Sequence, residues 1–81
     1  MIVSYDSSTD AVYIKIKPKT KVYKTVEFAS EAFVDLDKSG NLVGVELLSP
    51  VQLILKRISK RFHRPELAKI DPAKLYQSVH S

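Results

Sequence analysis

The sequence predicts a small α+β domain: an antiparallel β-meander of four or five strands, covered on one face by an amphipathic helix and followed by a short C-terminal helical extension. Apolar and polar residues alternate over much of the first fifty positions, which is the two-residue period of half-buried strands. After position 50 the apolar residues recur every three or four positions, as in an amphipathic helix. The chain has 81 residues, the size of a single domain.

The first predicted strands precede and follow a proline. Valine and isoleucine alternate with tyrosine and lysine over residues 12–17, and Pro18 ends this run because proline has no N–H group for a central ladder. A second run covers residues 22–28, where Lys24 breaks the alternation and indicates an edge or a bulge. Residues 2–5 predict a further, short strand at the start of the chain.

A hairpin is predicted around Gly40 and Asn41, which adopt positive φ at low cost and separate the apolar runs 34–37 and 42–47. One face of the resulting sheet is expected to be apolar and therefore to need a cover. The residues predicted on this face are Val12, Ile14, Ile16, Val22, Val26, Phe28, Val34, Leu36, Val43, Val45 and Leu47.

The predicted cover is a helix that begins near Ser49. Ser49 can cap it, Pro50 suits the first helical position, and Gln52 completes a capping box. Arg64 precedes Pro65, which disfavours helical geometry at Arg64 and so predicts the end of the helix there. The apolar stripe of the helix comprises Val51, Ile54, Leu55, Ile58 and Phe62.

A second, short helix is expected from Asp71 and Pro72, which repeat the arrangement of a cap followed by proline. We therefore expect one α+β domain over residues 1–64 and a C-terminal extension over residues 65–81 that packs on it or is partly disordered. The apolar residues of this second helix are Leu75, Tyr76 and Val79.

The net charge of +4 is concentrated in the last third of the chain. Residues 1–50 contain six lysines and seven acidic residues, whereas residues 51–81 contain seven basic residues and only two acidic ones. Such an asymmetry favours contact with a nucleic acid, a membrane surface or an acidic protein. Five of these cations share the polar side of the predicted helix: Lys56, Arg57, Lys60, Arg61 and Arg64.

This basic helix face allows three interpretations. Its cations can neutralise the phosphates of a nucleic acid, they can bind an acidic protein partner, or they are simply the solvated side of the helix. Leu53 interrupts the face. Membrane-surface binding is not expected, because the apolar stripe is needed to cover the sheet.

The opposite face of the sheet is expected to carry Tyr13, Tyr23 and Phe33 between lysines. Aromatic rings among lysines can stack on the bases of a single strand, and they can also form a dimer or partner interface. Residues 65–79 are a third candidate to cover this face. We favour the interface, because a domain this small gains stability by burying a further surface.

The composition argues against an enzyme. The chain has no cysteine, which excludes disulfides, thiolate metal sites and a thiol nucleophile and makes a reducing, cytoplasmic setting the natural expectation. With two glycines it carries no Gly-rich phosphate loop, and we expect no cofactor. No apolar run approaches the roughly 18 residues of a membrane span, and the first residues lack the basic start of a signal peptide.

Three carboxylates are weak candidates for a metal or acid–base site. Asp35 and Asp37 lie two positions apart and so point to one face of a strand, with Glu46 expected nearby across the hairpin. We favour the alternative that they are solvated residues beside a turn, since oxygen-ligand sites usually need more convergent groups. His63 suits a helix C-terminus, where the dipole favours a cation, and His80 lacks ligand-like spacing.

Short motifs occur in a fixed order along the first fifty residues: Tyr5-Asp6, residues 10–14, residues 34–37, and Gly40 followed by residues 42–48. In this order and spacing they resemble the YuzE-like family of small prokaryotic proteins of unknown function. The resemblance implies a compact cytosolic domain of a sheet and a helix, without a settled catalytic residue set. Members often look like partners of small toxin-like proteins, which implies an antitoxin-like role by analogy. The basic segment from residue 51 onward departs from the family pattern.

The sequence therefore predicts a non-enzymatic interaction module that binds a protein partner or itself. The alternative is a nucleic-acid-binding protein that uses the basic helix face. These two functions differ in their dependence on salt, because binding through several phosphate contacts weakens steeply between about 50 and 200 mM salt.

Overall fold

The computed structural model describes residues 1–48, 52–72 and 74. Within this part of the chain, five strands are followed by one α-helix and a short 3₁₀ helix. The elements are β1 (Ile2–Asp6), β2 (Ala11–Lys15), β3 (Lys24–Ala29), β4 (Ala32–Leu36), β5 (Leu42–Leu47), α1 (Gln52–Phe62) and the 3₁₀ helix (Pro65–Lys69). The predicted α+β class is confirmed, and all five strands form one antiparallel sheet.

The strand order is β1-β2-β5-β4-β3, which is not a plain meander, so that detail of the prediction is wrong. β5 lies between β2 and β4, and the connection after β2 carries the chain to the far edge of the sheet. The reason lies in burial. Five of the six residues of β5 are buried, which suits a central strand, whereas β3 is exposed over its first four residues and forms an edge. The edge expected from Lys24 is therefore confirmed.

The apolar face of the sheet packs against α1. Of the predicted residues, Val12, Ile14, Val34, Val45 and Leu47 are buried in one cluster together with Leu55, Ile58 and Leu67, while Ile16, Phe28 and Leu36 pack at its margin. Val26 pairs with the buried Val34 and so lies on the predicted apolar face, but it is 39% exposed because β3 is an edge strand. Val22 precedes β3 and is 38% exposed.

Val43 was predicted on the apolar face of the sheet, but Leu42 takes that place. Leu42 joins the core cluster, whereas Val43 is buried outside it. The ladder between β4 and β5 is irregular here: Asp35 pairs with Gly44, but Leu36 pairs with Leu42, so one residue of β5 has no counterpart. This bulge shifts the alternation of side chains by one position.

The helix α1 ends at Phe62, two residues before the predicted end. His63 takes the left-handed conformation with φ of 56°, and the Arg64 N–H donates to the Ser59 carbonyl over 2.9 Å. This is the Schellman arrangement, in which the residue after the helix turns left-handed and exposed carbonyls of the last turn gain partners. The predicted cap at residues 49–51 lies outside the described residues.

A 3₁₀ helix that the sequence analysis did not predict follows α1. Its Leu67 is fully buried in the main cluster, and Ile70 packs against the same cluster. These residues therefore cover the apolar face, and no element of the described residues packs on the opposite face, which we call the open face. Most of the helix expected from Asp71, with Leu75, Tyr76, Val79 and His80, lies outside the described residues. No helix in the described ranges has the length and apolar character needed to cross a bilayer.

Candidate interaction surfaces

The basic residues of α1 are exposed, and two of them lie over aromatic rings. The Arg57 guanidinium is 5.6 Å from the centre of the Phe28 ring, and the Arg61 guanidinium is 5.6 Å from that of Phe62. The two rings are themselves 6.3 Å apart and inclined at 48°. We call these four residues the arginine–phenylalanine stack. Lys56 and Lys60 are exposed on the same helix, and Arg64 is half-buried just beyond its end.

A groove of about 800 Å³ lies beside this stack, between the end of α1 and the edge of the sheet. We call it the basic groove. Its apolar wall includes Val26, Leu36 and Phe62. Its charged lining consists of the cations Lys24, Arg61 and Arg64 and one carboxylate, Glu27. The groove exists because β3 is an edge strand whose apolar side chains are only partly covered by the helix. A concave surface with an apolar wall and a few charged groups is the common form of a binding site.

Little negative charge neutralises these cations. In the part of the chain that the structure describes, no ion pair involves Arg57, Lys60 or Arg61. Arg64 reaches Glu66 at 4.0 Å, but both side chains are substantially exposed, and such a surface pair contributes little. The positive charge of this surface is therefore available to an external anion.

The open face of the sheet contains a second organised cluster, centred on Tyr13. The Tyr13 hydroxyl donates to Asp35 Oδ2, and the Thr25 hydroxyl donates to Asp35 Oδ1 over 2.6 Å. Burial raises the pKa of Tyr13, and the hydrogen bond to Asp35 raises it further. The phenol reaches from β2 to β4 across Gly44 of β5, where a Cβ atom would lie 2.8 Å from the Tyr13 Cζ. Glycine at this position makes the cluster sterically possible.

The three aromatic residues predicted as an interface occupy different places. Tyr13 and Phe33 both pair with Glu46 from opposite sides, so they are two strand spacings, or about 10 Å, apart. Both are half-buried, whereas Tyr23 is 62% exposed and precedes β3. The described part of the open face therefore places Tyr13 and Phe33 in one row across the sheet. Their role as an interface stays a prediction.

The three candidate metal carboxylates have separate surroundings. Asp35 accepts two hydroxyl donors on the open face. Asp37 instead organises the turn before β5, where its Oδ1 accepts the N–H groups of Ser39 and Asn41, each over 2.9 Å. These bonds lower the pKa of Asp37, and the bond from Asn41 has the largest effect. The Lys17 Nζ, 3.8 Å from Asp37 Oδ2, lowers it further. Among the described residues, no group of three His, Asp or Glu side chains is placed to hold a metal ion.

Sequence reasoning missed two residues that organise these surfaces. Gly44 lies inside a strand, where glycine often marks a close approach of other atoms, and this signal was available. Phe28 was assigned to the core face, but its pairing with Arg57, 29 positions along the chain, depends on how α1 crosses the sheet. No local pattern in the sequence predicts that Arg57 lies over the Phe28 ring.

The fold defines a small α+β domain with a five-stranded antiparallel sheet, covered on one face only within the described residues. Comparison with known families gives a match over more than half of the chain. The chain belongs to the family described as "Protein of unknown function (DUF2283)", which matches residues 2–49 and thus all five strands. No curated protein and no solved structure matches the chain.

Proposed function

We propose that this protein is a non-enzymatic interaction module that binds an acidic segment of a protein partner in the basic groove. The arginine–phenylalanine stack is the observation that carries this proposal. Two guanidinium groups are positioned by the rings of Phe28 and Phe62, beside a groove with an apolar wall, without an ion-pair partner in the described chain. The interpretation of these cations as a merely solvated helix face does not account for the rings beneath the arginines or for the groove beside them.

The combination of charge and apolar surface defines the chemistry of the partner. A cation over an aromatic face gains about 0.5–1 kcal/mol at an exposed site, which holds the guanidinium in place before binding. Arginine in a fixed position can then form bidentate hydrogen bonds with a carboxylate. Apolar side chains of the partner would contact Val26 and Leu36. The matching ligand is a segment in which acidic and apolar residues are interspersed.

The resemblance of residues 1–50 to YuzE-like domains supports the same class of function. It is compatible with the family shown above, and by analogy it suggests a small protein partner and an antitoxin-like role. The absence of cysteine supports a cytoplasmic location for such a module. No cofactor or catalytic residue enters this proposal.

The second candidate function is nucleic-acid binding through the same cations. The specific observation in its favour is that two arginines of α1 lie over half-buried rings, Phe28 on β3 and Phe62 on the helix. Aromatic and guanidinium planes are what unpaired bases stack on. Salt distinguishes the two functions. Five phosphate contacts would make the logarithm of affinity fall with that of salt with a slope of about −3.5 for a single strand, whereas the apolar groove contacts of a peptide would persist.

Fluorescence anisotropy with two probes tests the proposal: a peptide of alternating aspartate and leucine, and a single-stranded oligothymidylate. We expect the peptide to bind and the variant with Arg57→Glu and Arg61→Glu to bind it at least tenfold more weakly. Lys56→Glu and Lys60→Glu together are the matched control, because they make the same change of charge on the same helix outside the stack, and they should weaken binding much less. Binding of the oligonucleotide alone, with a steep salt slope, would establish the second function instead.

A further inference from the structure

The two edges of the sheet differ in how they are protected from other strands. Edge strand β3 contains the charged residues Lys24 and Glu27 and has an irregular ladder between Glu27 and Ala29. Charges and bulges are the usual protection of an edge. The other edge, β1, has a regular ladder and no charged side chain before Asp6. Its Ile2 and Val3 are 54% and 37% exposed.

The hydrogen-bonding pattern of the sheet shows which backbone N–H and C=O groups of β1 point away from β2. In an antiparallel ladder, the N–H and C=O of one residue point to the same neighbour, and the direction alternates along the strand. The Ile16 N–H donates to the Val43 carbonyl of β5, which continues the register of Ile14 with Val45. Even-numbered residues of β2 therefore direct their backbone toward β5, and Tyr13 directs its backbone toward β1. The Lys17 N–H, which donates to the same carbonyl, lies beyond this ladder. Tyr13 pairs with Ser4. The backbone N–H and C=O of the adjacent Val3 therefore point away from β2, on the side where no other strand of the described residues pairs with β1.

We infer that β1 pairs antiparallel with β1 of a second copy of this chain, about a two-fold axis at Val3. The Val3 N–H of each copy then donates to the Val3 carbonyl of the other, and the two sheets become one continuous sheet. The side chain of Val3 lies beside the partner subunit's Val3, and Ile2 lies beside the partner subunit's Ser4. An isologous contact of this kind closes after two copies and leaves no further free β1 edge.

The strand itself argues that a second copy is the occupant. Pairing about Val3 brings the Val3 side chains of the two copies together and places the two Asp6 carboxylates at opposite ends of the contact, so that no like charges meet. Val3 and Ile2 lose exposed apolar surface on pairing. The basic groove lies along β3 at the other edge, so this contact leaves the proposed partner site open. The contact is a single short strand, which predicts a reversible dimer.

Sedimentation equilibrium over a range of concentrations tests the pairing. For the wild-type chain, we expect the average mass to rise with concentration from 9.2 kDa toward twice that value. Val3→Lys places two cations directly opposite each other and should keep the chain monomeric. Val26→Lys is the matched control, because Val26 is a similarly exposed valine on the other edge, and this variant should still dimerise. Val3→Lys should leave the binding of the acidic peptide unchanged, because Val3 lies at the opposite edge of the sheet from the basic groove.

Charge complementation provides the sharper test of the axis. Val3→Lys and Val3→Glu should each be monomeric alone, while an equimolar mixture should dimerise, because opposite charges then meet across the axis. Amide hydrogen exchange gives an independent readout in the wild-type chain: protection of the Val3 amide should increase with concentration, while that of Ser4 should not change. A wild-type chain that stays at 9.2 kDa, a mixture that stays monomeric, or Val3 exchange independent of concentration would each overturn the inference.

Discussion

Tyr13 and Asp35 lie on strands that do not touch, yet the Tyr13 hydroxyl donates a hydrogen bond to the Asp35 carboxylate across the intervening strand β5. The phenol passes over Gly44, the position on β5 that pairs with Asp35. Three neighbouring strands are thus joined by one side chain on the open face of the sheet. The cluster gives that face a defined conformation, although no element of the described residues covers it.

Substitution of Gly44→Ala should be costly only when Tyr13 is present. The new Cβ would lie 2.8 Å from the Tyr13 Cζ, and displacing the ring should destabilise the domain by about 1–3 kcal/mol. In a Tyr13→Ala background the ring contact is absent, so the added cost of Gly44→Ala should be below about 1 kcal/mol. The remaining neighbour of the new Cβ is the Ile14 carbonyl oxygen at 3.3 Å. Urea denaturation of the four chains measures this double-mutant cycle. Equal costs in both backgrounds would contradict it.

The domain should lose stability at alkaline pH through Tyr13. Burial and the bond to Asp35 raise its pKa in the folded state above the usual value of 10.0, so the folded chain retains the phenol proton where the unfolded chain loses it. The free energy of unfolding should therefore fall as pH rises above about 10. Tyr13→Phe should remove this contribution, while Asp35→Asn should remove only part, since burial is the larger cause. Denaturation at several pH values, with tyrosinate absorbance as a second signal, measures it.

A carboxylate in the β4–β5 turn should make the domain sensitive to acid. Hydrogen bonds from Asn41 and Ser39 lower the pKa of Asp37 below the usual 3.8, so its contribution to stability is present above that pH and is lost as pH falls through the folded pKa. Asp37→Asn should be less stable than wild type at neutral pH, and the difference should shrink in acid. Thermal unfolding from neutral to acidic pH measures this. Asp6, whose pKa is also lowered, should keep some acid dependence in the variant.

Replacing the residue after α1 should stabilise the protein. His63 has φ of 56°, a conformation that costs an L-residue about 1–2 kcal/mol and costs glycine nothing from a side chain. After the greater backbone entropy of unfolded glycine is subtracted, His63→Gly should raise the free energy of unfolding by about 0.5–1 kcal/mol. His63→Asn should change it little, and His63→Val should lower it. A glycine variant less stable than the wild type in urea would show that the histidine side chain itself contributes.

The core and the helix could be predicted because each depends on a local period. Val12, Ile14 and Val34 belong to alternating runs, and Leu55 and Ile58 belong to a helical one. A side chain at such a position meets the core wherever the strand or helix lies in the fold. The periods did not reveal the bulge at Val43, because an extra residue in a strand is defined by the partner strand.

The candidate surfaces were predictable only in part. The cations of α1 follow from the helical period, but the stacking of Arg57 on Phe28 and the groove at β3 require the relative position of the helix and the edge strand. The two-residue period places Tyr13 and Asp35 on the same face of the sheet. It does not show that they meet, since their strands are neighbours of β5 on opposite sides.

The sequence by itself determined the α+β class, the apolar side of each element and the concentration of positive charge on one helix. These are properties of short stretches of chain, set by side-chain direction along a strand or helix. Only the tertiary structure decided that β5 is central, that β1 and β3 are the edge strands of the described sheet, and that Gly44 makes room for the Tyr13–Asp35 bond. Strand order depends on which strand can be buried between two others, and that is a competition among all five.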